Sequence, residues 1–421
     1  MSSLADRLRG VLRSGPNGPP LRSDERDDVR SEKREDNGSE ERETVRRGGP
    51  SGPPDAAEIL GGQWRESRGR SFLVVDRKYL PGYRHGRIAV ADCLPPWPRL
   101  ELLGGAHGHT LFLDLETTGL AGGAGTYAFL VGCGWFESGT FRLRQFFLSD
   151  FAAERALLEA VAELAGRVAC VVTYNGKTFD LPLIETRFAL QRMQPPFADA
   201  AHVDMLHPAR RMWREEDVEC RLTFLEQAWC GHEREGDVPG FEIPSRYFHY
   251  VRSGDARPLA AVLEHNRLDI VALAMLTARA SQLLDEGPSA ATTAREALGM
   301  GRLYERAGML EQALACFQRA AGVDGTRAAA ILLRRLRRYK EAAVAWRELL
   351  AARGCPPAYT REAMEALAVH HEHRARDLET ARTFALQSLR LQATPARQQA
   401  VKYRLARLDR KLGSGTCSIP F

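Results

Sequence analysis

The segment spanning residues 111–120 carries two acidic side chains at a spacing that suits metal chemistry. Its sequence is Leu-Phe-Leu-Asp-Leu-Glu-Thr-Thr-Gly-Leu, with the acids at Asp114 and Glu116. The apolar start predicts a short strand, and because side chains alternate along a strand, both carboxylates point to one face. At ~4 Å and an effective dielectric constant of ~20, two such charges repel by about 4 kcal/mol. A divalent cation such as Mg²⁺ or Mn²⁺ relieves that repulsion. The alternative is a strand end with two solvated acids.

A second acidic segment follows a short apolar run farther along the chain. Residues 174–180 are Tyr-Asn-Gly-Lys-Thr-Phe-Asp. They predict a loop in which Asn175 braces the turn, followed by a helix with Asp180 in its first turn. The Gly-Lys-Thr is not a P-loop, because that motif requires a glycine five residues earlier, where this chain has Val171. Asp180 is either a metal ligand or a residue that stabilises the helix N-terminus electrostatically.

A third segment combines a histidine with an acid. Residues 264–273 have the pattern of an amphipathic helix, and His265 and Asp269 are four positions apart on one face of it. An imidazole one turn from a carboxylate suits a general base that activates water beside a metal. The alternative is a surface pair without a chemical role.

The elements around these residues predict the fold class. Apolar patterns indicate strands at residues 111–116, 127–136, 140–148, 169–173 and 203–206, and helices at 152–164 and 179–191. Three antiparallel strands followed by helix, strand, helix and strand is the order of a ribonuclease-H-like α/β fold. We therefore expect a mixed sheet with flanking helices.

Together, these segments resemble the three motifs of the DEDD 3′–5′ exonucleases, and most closely those of the YprB-type subgroup of that superfamily. The motifs are Asp114-x-Glu116, Asn175-x-x-x-Phe179-Asp180 and His265-x-x-x-Asp269. The resemblance covers roughly residues 57–280 and extends to the segments 204–211, 222–226 and 237–244. It implies a metal-dependent exonuclease that hydrolyses phosphodiester bonds of single-stranded DNA or RNA from the 3′ end.

The resemblance also implies roles for the individual residues. Asp114, Glu116 and Asp269 would hold the inner coordination sphere of two Mg²⁺ or Mn²⁺ ions, and Asp180 would complete the second site. His265 would be the general base. In exonucleases with a histidine base, the histidine usually lies five residues before the last aspartate. In those with a tyrosine base, the tyrosine lies four residues before it. His265 lies four residues before Asp269, which is the spacing of the tyrosine type.

Further residues are predicted to contact the substrate or support the acids. Thr117, Asn175 and Arg211 are the predicted substrate contacts. Arg211 belongs to a basic and aromatic patch that either grips phosphates and stacks a base or is an ordinary helix surface; its other members are Arg210, Trp213 and Arg214. Asp204 either supports the acids or caps the segment after it.

The C-terminal third has the pattern of a helical-repeat domain. Residues 290–410 alternate Ala-rich amphipathic stretches with short breaks. One stretch matches the offsets of a tetratricopeptide repeat at Gly301, Tyr304, Gly308, Ala313, Phe317 and Ala320. Stacked helix pairs of this kind offer a concave face for a protein partner or a substrate. The alternative is a plain helical bundle.

A cluster of basic residues in this region either contacts nucleic acid or stays solvated: Arg334, Arg335, Arg337, Arg338 and Lys340.

Composition sets the remaining expectations. The chain has 421 residues and a formal net charge of +5, which permits nucleic acid as a partner. It lacks an apolar run long enough to span a membrane, and its first residues lack the apolar core of a signal peptide. The eight cysteines are scattered, which favours a reducing cytoplasm.

Four regions are predicted. Residues 1–55 form a disordered charged tail, 56–109 a small β extension, 110–283 the ribonuclease-H-like exonuclease domain and 290–410 the repeats. An alternative function is a catalytically silent scaffold that binds nucleic acid or protein. The sequence does not distinguish DNA from RNA.

Overall fold

A computed structural model of the chain describes residues 55–119, 125–166, 168–214, 220–391 and 394–414. The predicted tail at residues 1–55 therefore lies outside the described residues, apart from Asp55. No helix in these described ranges is long and apolar enough to cross a membrane.

The described strands form one large sheet and one small hairpin. In chain order they are β1 Gln63–Ser67, β2 Arg70–Tyr79, β3 Arg84–His85, β4 Ile88–Ala89, β5 Thr110–Thr117, β6 Ala128–Glu137, β7 Thr140–Phe147, β8 Cys170–Thr173 and β9 Ala201–Asp204. The large sheet has the order β1-β2-β7-β6-β5-β8-β9, while β3 pairs with β4 alone. β5 is antiparallel to β6 and parallel to β8, so the sheet is mixed, as predicted.

The N-terminal segment contributes strands to this same sheet. β2 lies antiparallel to β7, and β1 pairs with β2 at the sheet edge. At the opposite edge, β9 ends at Asp204 rather than at the predicted position 206. The chain turns there because the Asp204 carboxylate accepts a hydrogen bond from the backbone N–H of Leu206, which begins the next helix.

The helices around the sheet are α1 Asp55–Leu60, α2 Glu154–Ala165, α3 Asp180–Leu190, α4 Leu206–Met212, α5 Leu222–Leu225, α6 Ile243–Ser253 and α7 Arg257–Glu286. A π-helical turn at Glu226–Cys230 continues α5.

Apolar cores lie on the two faces of the sheet. Leu111 and Leu113 of β5 pack into one core, and Phe112 packs into the other with Ile270 of α7.

Two glycines of β6 let α7 lie directly on the sheet. A Cβ atom at Gly132 would lie 2.2 Å from Oδ1 of Asn266 and 2.3 Å from Cδ1 of Ile270. A Cβ atom at Gly134 would lie 2.5 Å from Cγ2 of Ile270. Any larger residue would therefore push α7 away from the sheet, and Gly132 is the residue that pairs with Asp114 across the β5–β6 ladder.

The C-terminal third is helical, as predicted. Its helices are α8 Ala294–Arg306, α9 Leu310–Arg319, α10 Gly322–Arg335, α11 Tyr339–Ala351, α12 Pro357–His370, α13 Leu378–Arg390 and α14 Pro395–Ser414. Each helix packs against the next, and α8 also contacts α10. Gly301 of α8 lies against Phe317 of α9. The tetratricopeptide assignment itself stays a prediction.

The helical region joins the sheet region where α8 packs against α4. The indole N–H of the buried Trp213 donates a 3.0 Å hydrogen bond to the carboxylate of Glu296 in α8. At Gly299, a Cβ atom would lie 2.6 Å from the backbone oxygen of Arg211 and 2.8 Å from Cα of Met212. The two helix backbones are thus in close contact at this point.

We expect Gly299→Ala to destabilise the protein. In an unobstructed helix this change would stabilise by about 1 kcal/mol, because alanine is the better helix former. Here the added methyl group meets backbone atoms that cannot rotate away, and overpacking of this kind costs about 1–3 kcal/mol. Urea unfolding measures the difference, with Gly413→Ala in α14 as the control, since its Cβ would meet nothing within 4 Å. Equal stability of the two variants would refute the close packing of α4 and α8.

Candidate active site

The structure brings the four predicted acids together. Asp114 and Glu116 lie on β5, Asp180 is the first residue of α3, and Asp269 lies on α7. Glu116 and Asp180 line one cleft, and Asn266, three positions before Asp269 in α7, lies 2.7 Å from the Asp114 carboxylate. Burial, followed by the charges of Asp269 and Asp180, raises the pKa of Asp114 well above its ordinary value. Burial, followed by the charges of Asp114, Asp269 and Asp180, does the same to the pKa of Glu116.

Asp180 shares this crowded environment. Burial, with the charges of Asp204 and Asp269, raises its pKa to about 7, although hydrogen bonds from its own backbone N–H and that of Leu115 oppose the rise. A cluster of carboxylates whose protonation is favoured by burial and mutual repulsion is suited to bind cations, because a cation removes both penalties.

Asn266 of α7 holds Asp114 in place. Its side-chain N–H donates a 2.7 Å hydrogen bond to Oδ2 of Asp114. The buried Gln145 of β7 donates in turn to Oδ1 of Asn266 at 2.9 Å and to the backbone oxygen of Leu263 at 2.7 Å. Neither amide was singled out from the sequence. Asn266 directly follows the predicted His265, and this adjacency is the signal that could have revealed it.

Asp204 orders the loop that presents Asp180. Its carboxylate accepts hydrogen bonds from the backbone N–H groups of Asn175 at 2.8 Å and Lys177 at 3.1 Å, in addition to the one from Leu206. Asn175 has φ +65°, a left-handed conformation that asparagine tolerates better than most residues. Both alternatives for Asp204 thus apply: it supports the site and it caps the following segment.

Arg234 is a buried cation beside the acids, and the sequence analysis did not identify it. Its side chain is only 5% exposed and contacts three carboxylates: Glu226 at 2.6 Å, Asp269 at 2.6 Å and Asp237 at 3.2 Å. Burial by itself would lower the pKa of Arg234, but the charges of Asp269 and Glu226 outweigh it and raise that pKa. The guanidinium group therefore stays charged, and it fixes Asp269 through one carboxylate oxygen.

His265 lies between two acids. Its Nδ1 is 2.6 Å from Oδ1 of Asp237, and its Nε2 is 3.5 Å from Oδ2 of Asp269. Burial alone would raise the pKa of Asp237, but the hydrogen bond from His265 and the charges of His265 and Arg234 lower it. An ionised carboxylate only accepts hydrogen bonds, so Nδ1 carries a proton and donates it to Asp237.

A histidine pair lies on the other side of Arg234. His85, Glu226 and His232 bring their ligand-type atoms within 4.8 Å of one another, and Nε2 of His85 is 2.6 Å from Oε1 of Glu226. Glu226 therefore joins this buried group to Arg234.

A cleft of about 630 Å³ opens beside the acids. Its lining combines chemistry-bearing residues with apolar ones, among them Glu116, Thr117, Phe179, Asp180, Ile243 and His265. Phe179 is 55% exposed, which is unusual for a large apolar residue. Such a cleft is large enough for a small ligand or one nucleotide unit.

The three predicted substrate contacts occupy different positions. Thr117 lines the cleft, and its hydroxyl donates to the backbone oxygen of Gly119. Asn175 shapes the loop before Asp180. Arg211 lies on α4 at the contact with α8 and is not part of the cleft lining. Their substrate-binding roles stay predictions.

Comparison with known families agrees with this geometry. Residues 111–281 match the RNase_H superfamily, and the match begins in β5 and ends in α7. It therefore spans all four acids. The chain contains an RNase_H superfamily domain.

The RNase_H superfamily domain lies within a longer region of similarity to a bacterial protein. The chain is 29% identical over 360 residues to "Uncharacterized protein YprB" of Bacillus subtilis (strain 168), covering 81% of this chain and 86% of that protein. Among solved structures, the family B DNA polymerase from Pyrobaculum calidifontis matches with a TM-score of 0.35 and 13% identity. That match covers 54% of this chain and 29% of the polymerase.

We expect Arg234→Gln to cost about 3–5 kcal/mol of unfolding free energy, because it leaves buried carboxylates without their counter-charge. Arg246→Gln is the matched control, since Arg246 forms a half-exposed i, i+4 pair with Glu242. Loss of this surface pair should lower the free energy of unfolding by less than about 1 kcal/mol. Urea unfolding at neutral pH compares the two variants. Equal costs would contradict the assigned role of Arg234.

Proposed function

We propose that the protein is a metal-dependent 3′–5′ exonuclease acting on single-stranded nucleic acid. The observation that carries the proposal is the convergence of four carboxylates from β5, α3 and α7 at the edge of one cleft. The family match and the sequence resemblance support the same chemistry. The proposal includes the cytoplasmic location predicted from the cysteines.

The donor set fits two divalent cations. Asp114, Glu116, Asp180 and Asp269 offer only oxygen ligands, which Mg²⁺ and Mn²⁺ prefer. Hydrogen bonds from Asn266 and Arg234 orient Asp114 and Asp269, which reduces the cost of ordering them. When bound, two such ions would supply positive charge for the attack of water and for the departing oxygen.

The protein groups position the substrate and move a proton. His265 lines the cleft, and its Nε2 would accept the proton of the attacking water. Asp237 fixes the ring through Nδ1 and stabilises the charge that the ring acquires. Phe179 offers an exposed aromatic face on which the terminal base would stack.

We expect Asp114→Asn to abolish hydrolysis without unfolding the protein. The substitution removes a charged ligand but keeps an acceptor oxygen, so the fold should survive. The measurement is digestion of 5′-labelled single-stranded DNA and RNA with Mn²⁺, Mg²⁺ or EDTA.

A ladder that shortens from the 3′ end, and that is lost in EDTA and in the variant, would support the proposal. A ladder from the wild type in EDTA, or no cleavage of either strand with Mn²⁺, would refute it. The thermal melt of the variant provides the folding control.

We expect Asp237→Asn to lower kcat by about tenfold or more while KM changes little. A positioned general base contributes ~10²–10⁴-fold, and the loss of its orienting carboxylate forfeits part of this. Asp237→Glu should recover part of the rate because it restores a charged acceptor. If both variants instead showed a raised KM together with a lowered melting temperature, the role of Asp237 would be merely structural.

A further inference from the structure

The charges of this chain are divided unevenly between its regions. Residues 294–414 contain 23 Lys and Arg against 12 Asp and Glu, a net charge of +11. The whole chain carries only +5, so the remainder carries −6. A helical region this basic, attached to an acidic remainder, points to an anionic ligand for its surface.

Three arginines, Arg211 of α4 and Arg302 and Arg306 of α8, lie on the two helices that join the helical region to the sheet region. Burial, followed by the charges of Arg306 and Arg302, lowers the pKa of Arg211. Arg302 and Arg306 are exposed on α8. Among the described residues, none of the three forms an ion pair. Like charges that lower one another's pKa favour binding of an anion.

A groove lined with arginines lies farther along the helical region. It has a volume of about 480 Å³ and is bordered by residues of α10, α12 and α14, including Arg327, Arg334, Tyr359 and Arg397. Arg327 is paired with Glu362, and its guanidinium lies 4.5 Å from the centre of the Tyr359 ring. Arg334 and Arg397 are exposed, and neither forms an ion pair within the described part of the chain.

Helix α8 connects the groove with the three arginines. It carries Arg302 and Arg306, and it contacts both α4, which carries Arg211, and α10, which borders the groove. The hydrogen bond of Tyr359 to Asp324 raises the pKa of the Tyr359 hydroxyl, and the charges of Arg327 and Arg302 oppose that rise.

Helix α4 begins close to the loop that presents Asp180. Its first residue, Leu206, comes two positions after Asp204, whose carboxylate accepts a hydrogen bond from the backbone N–H of Asn175 in that loop. Helix α4, which carries Arg211, also contacts α8. It therefore connects the loop beside the acids with the helical region.

We propose that an arginine surface, formed by Arg211, Arg302, Arg306, Arg334 and Arg397, binds the phosphate backbone of the single strand whose end occupies the cleft. The proposal rests on the nuclease function proposed above. Guanidinium groups pair with phosphates through two parallel hydrogen bonds, and a row of them suits a ligand with regularly spaced charges. Tyr359 adds an aromatic face beside that row.

Binding of a labelled 30-nucleotide oligo(dT) tests the surface. The full chain carries Asp114→Asn so that the strand stays intact, and dissociation constants are measured over a range of KCl concentrations. The test variants are Arg302→Gln with Arg306→Gln, and Arg334→Gln with Arg397→Gln. The control is Arg353→Gln with Arg390→Gln, which removes the same charge from exposed residues outside the groove lining.

Each test pair should weaken binding by about tenfold at moderate salt, and the slope of log K against log salt should shrink by roughly 0.7 for each lost phosphate contact. The control pair should match the parent protein. Test pairs that bind like the control would overturn the proposal, as would a parent protein that does not bind the strand. Digestion by the same chains with Asp114 intact is measured separately. Weakened binding in a protein that hydrolyses nothing would support the surface while refuting the nuclease.

Discussion

The mutual repulsion of buried carboxylates is the constraint on which this structure depends. Asp114, Glu116, Asp180 and Asp269 are crowded together, and burial and neighbouring charge raise the pKa of the first three. The protein relieves part of this strain itself, through the Asn266 amide, the backbone N–H of Leu115 and the charge of Arg234. Bound divalent cations would relieve the remaining repulsion among the carboxylates. The arrangement is costly for a protein without bound cations, which is why the proposed metal-dependent enzyme accounts for it better than a scaffold role does.

Helix α7 meets this constraint by lying directly against β6. Gly132 and Gly134 provide the space, and Ile270 fills it. This approach places Asn266 against Asp114, and it places Asp269 and His265 one turn apart at the cleft. Arg234 then joins α7 to the loop after α5 through Asp269, Asp237 and Glu226. The site is therefore built by packing of a long helix on a strand, with a buried guanidinium group connecting the loop after α5 to that helix.

The helical region is packed against the part of the chain that carries the acids. It contacts α4 through Gly299 and Glu296, next to Arg211. Its positive charge complements the acidic remainder of the chain. The four acids by themselves would repel a polyanionic substrate, so the proposed arginine surface would supply affinity that the proposed catalytic centre lacks.

The sequence by itself determined the mixed sheet, the helical C-terminal region and the four acids, because strand and helix periodicities and short motifs are local properties. It placed Asp114 and Glu116 on one strand face and His265 one turn from Asp269 for the same reason. Only the tertiary structure decided which distant groups complete the site. Arg234, Asp237 and Gln145 are 35, 28 and 121 positions away from the residues they hold, which are Asp269, His265 and Asn266. Nothing in their local sequence states which partner they meet. The connection of Arg211 with Arg302 and Arg306 likewise depends on how α8 packs on α4, a contact between elements that periodicity cannot specify.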